Sequence, residues 1–232
     1  MFKRAGIAAV VFGLAACGAQ RPRLPAPQIP SQPAAIAQPI PAPGAYRIDS
    51  SKSELRVLVY RAGPLASLGH NHVMVNRAVE GAVVLADTLS ASSFSISVPV
   101  GSFIIDDAQA RREEGSDFPG EIPEDAKSGT YRNMQSALVL DAAQFPVLTV
   151  KSMAFSGVPG AFSAELRINV AGHESLVHAP VALQSDAHHM TAEGSFELRQ
   201  TAIGLTPYSL MLGALQVQDA MLLKFKFVLL IG

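Results

Sequence analysis

Hydrophobic and polar residues alternate with a period of two along several segments of the chain. Phe94, Ile96 and Val98, for example, are each flanked by serine or another small residue. Successive side chains of an extended strand point to opposite faces, so this pattern predicts a half-buried β-strand. The same alternation recurs around Leu166 and Ile168, around Phe196 and Leu198, and around Phe225 and Phe227. Further apolar or β-branched runs bounded by Gly, Pro or Asp predict strands at Leu55–Tyr60, Val73–Val84, Val147–Phe155 and Leu176–Leu183.

About eight strands therefore follow one another with short turns and without alternating long helices. This order favours an all-β antiparallel sandwich or barrel over a parallel sheet. One segment differs: Asp106 to Met134 is dense in charge and predicts one or two short helices. Two interpretations of it stay open, a lid over one end of a barrel or a solvated excursion.

The alternating apolar rows are assigned to the inside of the predicted barrel. An eight-stranded barrel encloses just enough room for one small ligand, or for side chains alone. The rows therefore either line a lumen or fill a core. If they line a lumen, the candidate ligand-binding residues are Phe94, Ile96, Val98, Leu166, Ile168, Phe196, Leu198, Phe225 and Phe227.

The N-terminus has the layout of a secretory signal. Lys3 and Arg4 precede an apolar run that ends in small residues. The run is shorter than the roughly 20 apolar residues that a membrane-spanning helix needs. Leu14 to Cys17 resemble the bacterial lipobox, and Cys17 is the only cysteine in the chain. Residues 1–17 are therefore predicted to be a lipoprotein signal peptide, with Cys17 as the acylated N-terminus after cleavage.

Residues 18–45 are rich in proline and almost without charge after Arg23, which predicts an extended tether. Residues 46–232 then form one domain. Gly18, rather than Asp, follows the cysteine, and this favours the outer membrane in enteric-type sorting. We expect a lipid-anchored protein of the cell envelope that faces the periplasm.

Charge and motifs exclude several classes of function. The formal net charge is −1 and the pI is near 6.6, so nucleic acid is not an expected partner. Neither a Gly-x-Ser-x-Gly elbow nor a nucleotide-binding glycine motif occurs, and we expect no enzymatic activity and no cofactor. His173 and His178 resemble a zinc-protease pair, but their spacing of five separates the rings on a helix or a strand.

His70 and His72 are a second candidate for chemistry. In an extended chain their rings point to the same side, which suits two metal ligands. A third ligand would have to come from His173, His178, His188 or His189. The alternative is that the imidazoles bond the backbone or line the barrel mouth.

The order of landmarks along the domain resembles the YceI-like family of exported polyisoprenoid-binding proteins. They are the opening YRIDSSKSELRV at Tyr46, LGHNH at residues 68–72, Phe145 with Pro146, Gly172, and the closing GLTPYSLMLGALQVQDAMLLKFKF. The GHNH motif marks a subgroup of that family. The resemblance implies an antiparallel lipocalin-like β-barrel whose lumen holds a long apolar chain, without catalysis.

The sequence therefore predicts a non-enzymatic protein that binds or sequesters an isoprenoid or quinone-like lipid. Its expected partners are the membrane, through the anchor, and an apolar small molecule, and a homodimer stays open. Two alternatives remain: a periplasmic metal-binding module that uses His70 and His72, and an envelope interaction or stress protein with a filled barrel.

Overall fold

The computed structural model of the protein describes residues 42–185 and 189–231. Cys17 and nearly all of the predicted tether lie outside the described residues, as does His188. The proposed boundary at residue 45 thus stays a prediction.

The described residues form twelve strands and two α-helices. In chain order they are β1 Gly44–Ile48, β2 Glu54–Ala62, β3 His72–Asn76, β4 Glu80–Leu85, β5 Ser93–Pro99, β6 Phe103–Ile105, α1 Ala108–Glu114, α2 Glu124–Gln135, β7 Val147–Val158, β8 Ala161–Val170, β9 His173–Ser185, β10 Met190–Arg199, β11 Ser209–Leu210 and β12 Leu215–Ile231.

The strands form one antiparallel sheet that closes on itself. β1 pairs with β4 on one side and with the C-terminal part of β12 on the other, which completes the ring. The N-terminal part of β12 pairs with β2 instead. Because β1 and β2, β3 and β4, and β5 and β6 continue each other along bent walls, the described sheet amounts to eight barrel strands. The predicted all-β antiparallel barrel with two short helices is confirmed.

The predicted strand Val73–Val84 is interrupted in the structure. β3 ends at Asn76 and β4 begins at Glu80. The side chain of Asn76 is fully buried; it donates to the carbonyl of Pro99 and accepts from the backbone N–H of Ala78. These bonds hold a bend, because a side chain that satisfies backbone groups offers an alternative to the strand ladder.

The two ends of the barrel differ, and each is named here by a residue that lies there. The connections from β2 to β3, from β8 to β9 and from β10 towards β12 lie at the His72 end. The connections from β4 to β5 and from β7 to β8 lie at the Leu85 end, and β1 begins there, where Gly44 pairs with Leu85. The connection that contains both helices leaves β6 at the His72 end.

The two helices of the charged segment have different roles. α2 packs beside β6, whose second edge has no strand partner among the described residues, and Met134 of α2 faces the barrel interior. α1 instead lies on the outer wall, where Ala110 and Phe118 are buried against Leu58, Val73 and Val75. α2 therefore contributes to the cavity wall and α1 does not, so the lid interpretation fails for α1 and stays a prediction for α2. Within the described residues, no helix is long and apolar enough to cross a membrane.

Candidate ligand-binding cavity

The inside of the barrel contains an apolar cavity of about 450 Å³. Its walls extend from the His72 end to Leu85 and Leu89 at the other end. Protein interiors have few voids larger than a water molecule, so a space of this size is not a packing defect. Ligand pockets occupy roughly 300–1,000 Å³, and this cavity lies within that range.

All nine apolar residues that the sequence assigned to the inside of the barrel line this cavity. They are Phe94, Ile96, Val98, Leu166, Ile168, Phe196, Leu198, Phe225 and Phe227. The period of two explains why: Ser95, between Phe94 and Ile96, lies on the exposed outer face. Their placement follows from the strands, whereas their role in binding stays a prediction.

The structure adds wall residues that the sequence analysis did not single out. Phe155 and Phe162 form an aromatic cluster with Phe94 near the Leu85 end. The ring centroids of Phe94 and Phe155 are 6.0 Å apart, and those of Phe155 and Phe162 are 5.6 Å apart. α2 contributes Met134. In β2, Leu55, Val57 and Val59 line the cavity, and their alternation in the sequence could have identified them as wall residues. The contribution of α2 has no such periodic signal in the sequence.

Gly194 leaves room for the ring of Phe225 on the lumenal face. A Cβ atom at this position would lie 2.6 Å from Cζ of Phe225 and 2.2 Å from the carbonyl oxygen of Pro180. Phe225 can therefore lie across the glycine and stack on Phe227, with ring centroids 5.2 Å apart. The absence of a side chain at Gly194 therefore allows Phe225 and Phe227 to occupy their observed positions in the cavity wall.

The polar part of the cavity lining is concentrated at the His72 end. This end contributes Arg61, His70, His72, Asn133, Gln200, Tyr208 and Gln216 to the lining. Near the Leu85 end the polar lining residues are Ser92 and Ser93. Among the described lining residues Arg61 is the one with a permanent charge, and it donates from Nη1 to the carbonyl of Gly69 at 2.6 Å. The polar side chains thus gather mainly at one end of a cavity that is otherwise apolar.

His72 is held by a buried ion pair behind the cavity wall. Its Nδ1 lies 2.6 Å from Oδ2 of Asp106. Oδ1 of Asp106 accepts from Nη1 of Arg111 at 2.6 Å and from the backbone N–H of Val73 at 3.0 Å. The side chains of Asp106 and Arg111 are 0% and 3% exposed. No local sequence pattern predicts this network, because Asp106 and His72 are distant along the chain.

Asp106 is charged despite its burial. Burial raises the pKa of its carboxyl, but the hydrogen bonds from His72, Val73 and Arg111 outweigh this and hold the pKa below its ordinary value. A carboxylate only accepts hydrogen bonds, so Nδ1 of His72 carries the proton that it shares with Asp106. Nε2 is then the ring nitrogen available to the cavity.

The metal-site hypothesis gains no support from the geometry. The rings of His70 and His72 are neighbours, with centroids 6.2 Å apart, and both line the cavity. However, His173 and His178 lie on β9, and Nε2 of His189 is 3.2 Å from Nζ of Lys52. Across residues 42–185 and 189–231, no group of three or more His, Cys, Asp or Glu residues is placed to hold a metal ion.

These features define a closed antiparallel β-barrel with a largely apolar lumen. The chain belongs to the YceI-like family, because the YceI-like domain model matches residues 46–229. The chain is similar in structure to BcnA of Burkholderia cenocepacia, with a TM-score of 0.58 and 15% identity over 78% of this chain and 98% of that one. A YCEI protein of Campylobacter jejuni is a more distant neighbour, with a TM-score of 0.48 and 7% identity over 67% of this chain and 82% of that one. A search of curated proteins finds no match.

Proposed function

We propose that this protein binds or sequesters a long-chain apolar molecule, an isoprenoid or quinone-like lipid, in the barrel lumen and without enzymatic activity. One observation carries the proposal: the cavity of about 450 Å³ is walled almost entirely by aliphatic and aromatic side chains. A filled barrel, the alternative interpretation of the same rows, would leave no such space. The lipid specificity suggested by family resemblance is part of this proposal.

The energetics are adequate for such a ligand. Burial of apolar surface contributes about 0.8 kcal/mol per CH₂ group, so about ten buried carbons contribute roughly 8 kcal/mol. This corresponds to a Kd of roughly 1 μM before the costs of ordering the ligand. A longer chain that fills the lumen from end to end would bind more tightly.

We propose further that the domain works in the cell envelope. The lipobox-like sequence at Cys17 and the proline-rich residues that follow would tether it to a membrane, with the outer membrane favoured by Gly18. A soluble barrel on such a tether would hold an apolar molecule that water alone cannot carry. The membrane and the apolar ligand are the partners we propose.

Native mass spectrometry tests the proposal directly. A shortened chain that begins at Ala42, exported behind a cleavable signal and purified without detergent, should carry a co-purified apolar adduct. Ala42 is retained because its carbonyl accepts from the Tyr46 hydroxyl. A domain that is always empty, and that takes up no added prenol, would contradict the proposal.

A lumen-filling variant localises the ligand. Ala192 lines the cavity, whereas Ser195 on the same strand is exposed. We expect Ala192→Phe to reduce the adduct at least tenfold by occupying ligand space, and Ser195→Phe to leave it unchanged. Equal adduct in the two variants would place the ligand outside the barrel.

A further inference from the structure

We infer that the barrel docks on a phospholipid bilayer through an apolar lip at its His72 end, formed by Leu68, Leu210, Met211 and Leu212. The inference goes beyond the proposed function, because it assigns a membrane-contacting surface to the barrel itself, in addition to the proposed anchor. It does not depend on what the lumen holds. Its basis is a pair of adjacent turns that display large apolar side chains, in one turn from a strained backbone.

The lip consists of two turns that are bonded to each other. One turn follows β2 and carries Leu68, and the other joins β11 to β12 and carries Met211 and Leu212. Between them, the backbone N–H of Leu65 donates to the carbonyl of Ala214 at 2.8 Å. The two turns therefore form one continuous surface at the His72 end of the barrel.

The turn between β11 and β12 holds two bulky residues in the left-handed backbone region. The φ angle is +52° at Met211 and +57° at Leu212, and Gly213 follows at +90°. Turn positions with positive φ are ordinarily occupied by Gly, Asn or Asp, because a bulky side chain is strained there. Such strain often accompanies a function that requires the particular side chain. The conformation therefore indicates that these two side chains serve something other than the turn itself.

The side chains of the lip project into solvent. Leu212 is fully exposed, and Met211 and Leu68 are 67% and 69% exposed. Leu210, beside them, lines the cavity and is nearly half exposed, so the lip borders the His72 end of the lumen. The sequence places no Asp, Glu, Lys or Arg at residues 62–69 or 200–218. Contiguous apolar surface of this kind marks a contact with a protein or a membrane.

A bilayer fits the lip better than a protein partner does. A stable protein interface takes about 20–30 residues from each side, packed into one complementary patch. The lip offers four large apolar residues on two projecting turns, and neither turn carries a charge that could orient a partner. A bilayer requires only apolar side chains that reach past the head groups, as in other protein segments that lie in the interface.

The proposed anchor allows this end of the barrel to reach the membrane, and this step rests on the proposed function. β1 begins at the Leu85 end, opposite the lip. Residues 18–43, extended as their proline content predicts, span about 80 Å at about 3.1 Å per residue. The longest strand, β12, spans about 56 Å at about 3.3 Å per residue. The tether is therefore long enough to pass the barrel and keep the lip at a high effective concentration near the bilayer.

A single tryptophan in the lip tests the contact, because the chain contains no tryptophan of its own. Leu212→Trp and Val158→Trp are made in the full-length protein and mixed with vesicles of phosphatidylcholine that is brominated on its acyl chains. Val158 is the matched control, an apolar residue that is 65% exposed at the Leu85 end. Bromine quenches a tryptophan that lies among the acyl chains. We expect quenching and a blue-shifted emission from Leu212→Trp, and neither from Val158→Trp.

Leu212→Asn separates membrane contact from folding. Asparagine tolerates the left-handed conformation better than leucine, so the thermal unfolding temperature should stay the same or rise. With Leu68→Trp as the reporter on the neighbouring turn, Leu212→Asn should lower the ratio of inserted to free lip about tenfold, the factor that one buried leucine side chain supplies. A lower unfolding temperature with unchanged quenching would show that Leu212 serves the fold, and would overturn the inference.

The outcomes distinguish this inference from the proposed function. If the full chain sediments with vesicles but Leu212→Trp is not quenched, the anchor stands and the lip inference is wrong. Equal quenching of Leu212→Trp and Val158→Trp would also overturn it. A blue shift of Leu212→Trp that grows with protein concentration in the absence of vesicles would assign the lip to a second copy of the chain instead. Quenching of Leu212→Trp in protein that carries no fatty-acid label would support the lip and refute the anchor.

Discussion

At the scale of single residues, Asp106 connects the outer wall of the barrel to the cavity. Its carboxylate accepts from the His72 ring, the Val73 backbone and the Arg111 guanidinium. It adopts a positive φ of 55°, which non-glycine residues seldom do. The three hydrogen bonds compensate for that backbone conformation and for the removal of two charges from water.

Asp106→Asn should therefore be strongly destabilising. It leaves the Arg111 guanidinium buried without a counter-charge, which lowers the free energy of unfolding by about 3–5 kcal/mol. Asp107→Asn is the matched control. Asp107 caps α1 by accepting from the Ala110 N–H, and asparagine caps nearly as well, so a change below about 0.5 kcal/mol is expected there. Urea unfolding monitored by circular dichroism measures both.

The same carboxylate gives the stability a defined acid dependence. The pKa of Asp106 is lower in the folded than in the unfolded chain, so its contribution is present above the ordinary Asp pKa of about 3.9 and is lost as pH falls through the lowered folded value. Stability of the wild type should fall more steeply below about pH 4 than that of Asp106→Asn. Parallel curves for the two proteins would show that Asp106 is not ionised in the fold.

At the scale of elements, α1 is held to the barrel by an apolar contact under a layer of ion pairs. The ring of Phe118, 3% exposed, lies 5.6 Å from that of Tyr60. Around it, Arg56 pairs with Glu113 at 2.5 Å and with Glu114 at 3.1 Å, and Lys224 also reaches Glu114. Glu114 is 5% exposed and Arg56 is 16% exposed, so the cost of removing these charges from water offsets much of their attraction, and the phenyl ring should dominate.

Phe118→Ala tests this attachment. Loss of a buried phenyl ring costs about 3–5 kcal/mol, and here the loss should appear first as faster hydrogen exchange in residues 108–118. The barrel strands β8 and β9, far from α1 along the sheet, should keep their protection. Leu138→Ala, at a residue 74% exposed, is the control and should change neither exchange nor stability by more than about 0.5 kcal/mol. Uniform loss of protection would instead mean that α1 and the barrel unfold together.

At the scale of the whole molecule, the domain is complete without the N-terminal segment that we expect to anchor it. β1 begins at Gly44, and its pairing with β12 and β4 closes the barrel within the described residues. The expected anchor is residue 17, separated from this wall by the proline-rich segment. Membrane attachment and folding should therefore be separable.

Cys17→Ser tests the anchor. A metabolic fatty-acid label should enter the wild type and not the variant, because the variant lacks the only thiol in the chain. The thermal unfolding temperature of the domain should be the same in both. A chain that begins at Ala42 behind an ordinary signal should fractionate with the periplasm. Wild-type protein without label, or an Ala42 form that remains in the membrane fraction, would refute the lipid anchor.

The sequence was sufficient to predict most of the strands and the inner faces of the alternating ones, although it missed the short strands β1, β6 and β11. Alternation places Phe94, Ile96 and Val98 on one face whatever the strand pairs with, because side-chain direction depends only on local backbone geometry. The bend at Asn76 was missed for the opposite reason. Its amide bonds to the carbonyl of Pro99, a residue on another strand, and the alternation carries no trace of that contact.

Only the tertiary structure decided what these faces enclose. The same rows are compatible with a filled core and with a lumen, and the choice depends on how far apart the walls stand once Tyr46 pairs with Ile231 and the sheet closes. It also decided that α1 packs outside while α2 faces the cavity, and that Asp106 orients His72. Such contacts join residues distant in the chain, and they depend on strand register, closure and packing, which no local pattern of residues encodes.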